Sequence, residues 1–460
     1  MTAPPTLIRG LAAQARALWQ GGLPMPVLGK AQLCLADALS GAFEAAPLEH
    51  AQQAAAVAAE AATGATVIAS GRAAPAGDAA FANAVAAHGL VREDMHTGSV
   101  AHFGVVVWPA LLAATALAPR PVSGRALLAA GVIAYEVGGR VGRELMTPDL
   151  ARLFRPTGLF GPLATATGTG LVLGLEEEAL ASAMALAVNT AAGFNEWPRA
   201  GGADMFFHAG FAAQSGLRAA RLAGAGAFGS PTVLEGDAGL FRAIGRRPAP
   251  EAIGFAPEGD FEIMSVFHKA VPACNYAQTP GQAALAAAKN YAAAPDTIAS
   301  VKVAATEAAL AYPGCDGAGP FRNALQAKMS IQYTVAAAIL HGEISEACFA
   351  DPADPAIGAL VSKVALEADP ALTAAYPARQ GARVTIVGGG EEVTAQLDDV
   401  QVARDDEIWD RMTRHAVLRL GEAPARDLTR AIRNIEVEED IGILNGLCRR
   451  DGTQASRRSA

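Results

Sequence analysis

The chain has 460 residues, 52% of them hydrophobic and 18% charged, which excludes an intrinsically disordered polypeptide. Its formal net charge of −9, without a basic stripe, argues against nucleic acid as a partner. A small anionic substrate stays open, because a few local cations decide that, not the global sign.

Five cysteines, at positions 34, 274, 315, 348 and 448, form neither a CxxC pair nor a Cys/His metal spacing. Such a scattered, odd count suits a reducing cytosol. The opening MTAPPTLIRGLAAQARALWQGG lacks a continuous apolar segment after a basic start, so it does not read as a secretion signal. In chain order, apolar periodicity predicts helices over about 5–19, 28–45, 49–62, 76–88, 105–117, 123–144, 159–173, 177–192 and 207–226. Alanine runs such as AQQAAAVAAEAATGA (51–65) favour helix and let helices approach closely. Gly89, LAPRPVSG (117–124) and RPTG (155–158) supply stops. The longest apolar stretch, Phe103 to Pro119, is interrupted by Pro109 and too short for a comfortable membrane span. With no strand pattern for about 250 residues, this part reads as an all-α bundle, and the chain as a soluble cytoplasmic protein.

Near residue 260 the pattern changes. IASVKVAA (298–305) alternates as a strand does, and ARVTIVGGGEEVTAQL (382–397) reads as a hairpin around a glycine turn. Helices are expected between them, over about 280–293, 325–341 and 355–366, and again from Asp405. The expected fold is therefore mainly α: an all-helical domain over 1–262, an inserted smaller α+β lid over 263–404, and a helical tail, 405–460, that returns to the first domain.

Four segments carry residues able to do chemistry. EDMHTGSVAHFG (93–104) sets Glu93, Asp94, His96 and His102 at the mouth of a buried helix, in a chain with only eight histidines. Imidazole titrates near working pH, and a neighbouring carboxylate fixes its tautomer, so the cluster suits proton transfer. The competing reading is a loop in which Asp94 or Ser99 caps the helix. A metal site lacks a third ligand at a recognisable spacing, and no metal is expected. In FFHAGFAAQSG (206–216), His208 precedes small residues; it either starts the helix or faces a ligand. In FHKAVPACNYAQTPGQAAL (267–285), Lys269 precedes Pro272 in a non-helical connection, as a point charge for a carboxylate or as a surface lysine. Cys274 has no activating partner that sequence can name. In AKMSIQYTVAAAILHG (327–342), Tyr333 lies in a buried helix, where a satisfied core hydroxyl is the plain reading. GxGxxG after a strand, GxxxxGK[ST], GxSxG and HExxH are all missing, so no cofactor is implied.

In this order the segments resemble the MmgE/PrpD family, which includes 2-methylcitrate dehydratases, cis-aconitate decarboxylases and iminodisuccinate epimerases. The family's Asp-Thr-His and His-Pro-Gly are matched by Asp94-Met95-His96 and His102-Phe103-Gly104. Its His-Ala-Gly-x-Ala-Ala and Leu-Glu-Gly are matched by His208 to Ala213 and Leu234 to Gly236. Its Lys-x-x-Pro-x-Cys and Lys-x-Ser-x-x-Tyr are matched by Lys269 to Cys274 and Lys328 to Tyr333. The chain departs from the pattern where Phe206 stands for a lysine, Arg155 for a histidine and Val91 for an aspartate.

The resemblance implies cofactor-free chemistry at a carbon beside a carboxylate, with His102, Asp94, Lys269 and Tyr333 in a cleft between domains. On that footing His102 is the expected base, with Asp94 orienting an imidazole, its own or that of His96. Lys269 and Arg155 hold carboxylates, and Tyr333 donates a proton or hydrogen bond. His208 and Arg199 are further substrate contacts, with Arg92 another candidate cation. The expected activity is a lyase on a di- or tricarboxylic acid, by dehydration or decarboxylation. An epimerase or isomerase of a related acid is the second reading, and an inactive polycarboxylate binder the third. A homodimer is expected from the resemblance.

Overall fold

A computed structural model describes residues 6–255 and 259–449, so the expected chain start at 1–5 and tail end at 450–460 lie outside the described residues. Close helix contact, permitted by small residues, organises the first half. The helix Pro156–Val172 is buried along its whole length and packs against Gly124–Leu145 and Asp204–Gly224. Glycine makes the second contact possible, because a Cβ on Gly216 would lie 2.6 Å from the carbonyl oxygen of Pro162. The Ser123 side chain caps Gly124–Leu145 by accepting from the Ala126 N–H.

The expected helices of the first half all form, but that half is not free of strands. The helix begun at Glu49 ends at Val57, and Ala65–Val67 pairs antiparallel with Arg72–Ala74. Asp94–His96, expected as loop, is a strand paired antiparallel with Val266–His268, with Asp94 opposite His268. Three-residue strands are too short to show an alternation, and the second pair joins segments about 170 residues apart.

Beyond residue 290 a four-stranded sheet runs in the order Val364–Ala368, Ile298–Ala305, Ala382–Gly388, Glu391–Leu397. The first pair is parallel and the others antiparallel. Gly389 and Gly390, at φ +57° and +84°, make the two-residue hairpin turn that L side chains disfavour. Val384 and Ile386 point to the face covered by the helix Asn275–Asn290. The helix expected over 355–366 stops at Val361, and Val364 opens the parallel strand instead. The helix expected over 325–341 breaks at Ser330, whose hydroxyl accepts from the Tyr333 N–H and starts a new helix, Ile331–His341.

The helix Asp405–Leu420 lies against Met25–Ala45, burying Ile408, Met412, Ala416 and Leu420 at helical spacing. The chain is thus mainly α with a small sheet. No helix among the described residues is long and apolar enough to cross a membrane.

Candidate active site

The Asp94–His96 strand carries the chain to His102, two residues ahead of the buried helix Gly104–Thr115. The Asp94 carboxylate accepts from the Gly104 N–H at 3.0 and 3.1 Å and from the Tyr135 hydroxyl at 2.6 Å. It is therefore the helix cap. Burial pushes its pKa up to about 6, against the opposing Tyr135 bond. Its carboxylate orients no imidazole. The Asp94 backbone carbonyl does so instead, accepting from His102 Nδ1 at 2.6 Å. That bond puts the proton on Nδ1 and leaves the Nε2 lone pair without a partner among the described residues. Burial, then the nearby Lys269 charge, hold the His102 pKa well below its ordinary value, so the ring is neutral. The His102 N–H donates to Thr157 Oγ1 at 3.0 Å, which ties the residue to the start of the central helix.

Beside His102 lies a buried chain of charges. Lys269 Nζ donates to Glu93 Oε1 at 2.9 Å and to the Val91 carbonyl at 3.0 Å. Burial alone would raise the Glu93 pKa; the Lys269 charge beside it outweighs burial and holds the carboxylate ionised. His88 Nδ1 lies 3.4 Å from Glu93 Oε2, and its Nε2 accepts from Arg155 Nη2 at 3.0 Å. Burial keeps His88 neutral. Arg155 also donates to the Tyr312 hydroxyl at 3.4 Å, but its buried Nε has no partner. No carboxylate lies within ion-pair distance of Arg155 among the described residues.

These groups meet around a cavity of about 20 Å³, room for roughly one water. Its polar wall is His102, Arg155, Lys269, Cys274, Asn275, Tyr276 and Tyr312; the apolar side includes Val91, Val100, Met205 and Met329. Val91 and Val100 sit at φ +59° and +57°, strained for β-branched residues, and such strain clusters at functional sites. Gln278 braces the Lys269–Cys274 connection, accepting from the Val271 N–H and donating to the carbonyls of Val271 and Ala273. Cys274 N–H donates to the Lys328 carbonyl, and its thiol lies 3.6 Å from Cys315 Sγ, the partner that sequence could not name. That contact draws the Cys274 pKa down to about 7. Met95 and Asn275 separate the cavity from a groove of about 250 Å³.

Other expected residues lie elsewhere. His96 is bound to Ser99 Oγ at 2.8 Å and to Glu262 at 2.6 Å, whose carboxylate also pairs with the exposed Arg143. Tyr333 is a core tyrosine: it packs on Phe321 and Phe349 and donates to the carbonyls of Cys348 and Asp351. Arg199 is exposed at a different surface depression, with Asp149, Arg152 and Glu196. Arg92 is paired with Glu44 at 2.6 Å. His208 stands behind Arg155, across Gly193, where a Cβ would lie 3.3 Å from His208 Nδ1 and 3.1 Å from Arg155 Cβ. Phe206 stacks on His50 at 3.8 Å.

Two residues escaped the sequence reading: Tyr312 on the cavity wall, and His88, which binds Arg155 from behind it. His88 was hidden in a helix end ahead of Gly89, although the rarity of histidine was a usable signal. Tyr312 follows a five-residue helix and carries no local pattern.

The sequence profile of the MmgE/PrpD N-terminal domain matches residues 9–252, and that of the MmgE/PrpD C-terminal domain matches 271–435. A 2-methylcitrate dehydratase of Cupriavidus necator is 29% identical over 273 residues, 56% of this chain and 54% of the relative. A cis-aconitate decarboxylase of Aspergillus terreus is 29% identical over 167 residues, covering 35% and 34% of the two chains. A cis-aconitate decarboxylase of Homo sapiens is 34% identical over 169 residues, again 35% and 34%. The matched segments span about a third to a half of these relatives' lengths. Two domain matches that together cover most of the chain have one conclusion: this protein belongs to the MmgE/PrpD family.

Proposed function

We propose that the enclosed site removes a proton from a carbon next to a carboxylate, which makes the protein a cofactor-independent lyase on a small carboxylic acid. The observation that carries this reading is the neutral His102, its tautomer fixed by the Asp94 carbonyl and its Nε2 free beside an Arg155 that lacks a carboxylate. Two relatives whose names specify a dehydratase and a decarboxylase support the reaction class.

In the dehydration form, Arg155 holds the substrate carboxylate bidentately and stabilises the negative charge that develops there. His102 Nε2 takes the proton, the C–H pair becomes the new C=C bond, and the β-hydroxyl leaves. The Tyr312 hydroxyl accepts from Arg155 and Asn195, both at 3.4 Å, so its own proton is free to join the leaving group as water. Burial keeps that phenol protonated. The proton on His102 returns to Tyr312 through the released water. At about 20 Å³ the cavity corresponds to a closed state, and movement of the α+β part as a lid admits the acid and then excludes water. A cytoplasmic homodimer accompanies this proposal.

An isomerase is the second reading. It needs acid–base groups on two faces of one carbon, and Cys274, drawn down to about 7, offers a second group on the wall. Proton NMR and mass spectrometry of products from citrate, 2-methylcitrate, cis-aconitate, malate, tartrate, iminodisuccinate and 3-hydroxy acids separate the cases. Loss of water or carbon dioxide supports the lyase. Unchanged mass with inverted configuration supports the isomerase. Binding with no product contradicts both and leaves a binding protein.

A further inference from the structure

The charges around the cavity do not balance, and the imbalance is one. Lys269 is neutralised by Glu93 at 2.9 Å, and both are buried. His88 and His102 are neutral. The Asp94 carboxylate faces Tyr135 and Gly104, away from the cavity groups. Lys328 is paired with Glu346 at 2.7 Å and borders a different pocket. Cys274, drawn down to about 7 and in contact with Cys315, is the one other group on the wall able to carry negative charge. That leaves Arg155, a guanidinium only 5% exposed, with an unpartnered Nε and no carboxylate counter-ion among the described residues. A buried cation without an anion is costly, and one ligand carboxylate corrects it. The rest of the lining supplies no free cation for a second carboxylate. Its apolar part is the buried Val91, Met95, Met205 and Met329 with the half-buried Val100, and Asn275 and Tyr276 are already engaged, with Gln380 and the Tyr376 hydroxyl, both at 2.9 Å.

We infer that the site takes an acid with a single carboxylate, held by Arg155, and an uncharged substituent lodged against the valine and methionine wall. This rests on the proton-abstraction reading for its chemistry, but not for its charge count. A second carboxylate would be desolvated against methyl and thioether groups with no unpaired cation to meet it. The inference also selects among reactions: losing carbon dioxide from a lone carboxylate discards the group that Arg155 holds. Dehydration or epimerisation of the acid keeps it.

Malate is 3-hydroxybutanoate with a carboxylate in place of the methyl, so this pair isolates the charge. Binding of 3-hydroxybutanoate, 3-hydroxyhexanoate, malate and citrate to the full-length wild-type protein is measured by calorimetry, with α-deuterium exchange in D2O recorded on the same samples. The expected order is 3-hydroxyhexanoate tightest, 3-hydroxybutanoate next, and malate and citrate at least tenfold weaker than 3-hydroxybutanoate. Arg155→Gln loses at least tenfold in affinity for the monocarboxylates, and Arg155→Lys recovers part of it. Malate or citrate binding as tightly as the monocarboxylates overturns the inference, as does failure of all four to bind. Tight monocarboxylate binding without α-exchange sustains the charge count and contradicts proton abstraction. Exchange confined to malate or citrate does the reverse.

Discussion

His102 is oriented by the main chain of Asp94 and not by its side chain: Nδ1 meets the Asp94 carbonyl at 2.6 Å, while the Asp94 carboxylate caps the helix at Gly104. Asp94→Asn keeps the carbonyl and an amide oxygen that still accepts at the helix start. Turnover is expected to fall less than tenfold and stability by about 1 kcal/mol, the scale of a weakened cap. A thousandfold loss of kcat in a folded Asp94→Asn protein would show that the carboxylate has a direct chemical role.

The Glu93–Lys269 pair is buried on both sides, at 2% and 1% side-chain exposure, so removing one partner strands the other. Glu93→Gln is expected to lower stability by about 3–5 kcal/mol. The double variant Glu93→Gln, Lys269→Met removes the stranded charge and recovers a large part of that loss. Urea unfolding of both variants checks this; equal destabilisation by the single and double changes contradicts the pairing.

In the proposed mechanism Tyr312 takes the proton-donor role that the family resemblance implies for Tyr333. Tyr333→Phe removes a donor shared by the Cys348 and Asp351 carbonyls, costing about 1 kcal/mol with kcat unchanged. Tyr312→Phe is expected to lower kcat by about 10²-fold, the lower range for loss of a proton donor, and stability by about 1 kcal/mol, because Arg155 and Asn195 lose an acceptor. Parallel kinetics and thermal melts decide, and a reversed pattern would return Tyr333 to the site.

Burial alone would lower the His268 pKa, but the Asp37 carboxylate at 3.1 Å and the Cys34 contact raise it to about 10. A folded pKa above the unfolded value of about 6.5 means stability that is full below about pH 6.5 and lost as pH rises through about 10. Chemical denaturation between pH 6 and pH 10 is expected to show that decline, and Asp37→Asn to flatten it. A wild-type profile as flat as that of Asp37→Asn rules the linkage out.

The helical half was legible because alanine-rich periodic segments and their Gly and Pro stops are local signals. The Asp94–His96 strand and the Val364–Ala368 strand were not, since each is defined by a partner elsewhere in the chain. The same division holds for the site. His102 and Lys269 stand in recognisable motifs, and Arg155 was visible as a departure from one. Tyr333 shared a motif with Lys328, yet that motif fixes a helix start at Ser330 and a buried ion pair, not a cavity wall. Tyr312 reaches the cavity, and His88 reaches Arg155, only through packing of helix ends distant in sequence, for which no spacing exists to read.

The most direct measurement is the rate of α-deuterium incorporation in D2O into an acid the protein binds, for wild type and for folded His102→Gln at matched saturation. The account predicts incorporation by the wild type, a loss of at least a hundredfold in His102→Gln, and affinity for the acid within a few-fold. Incorporation persisting in His102→Gln at the wild-type rate would contradict His102 as the base, and with it the mechanism built on its free Nε2.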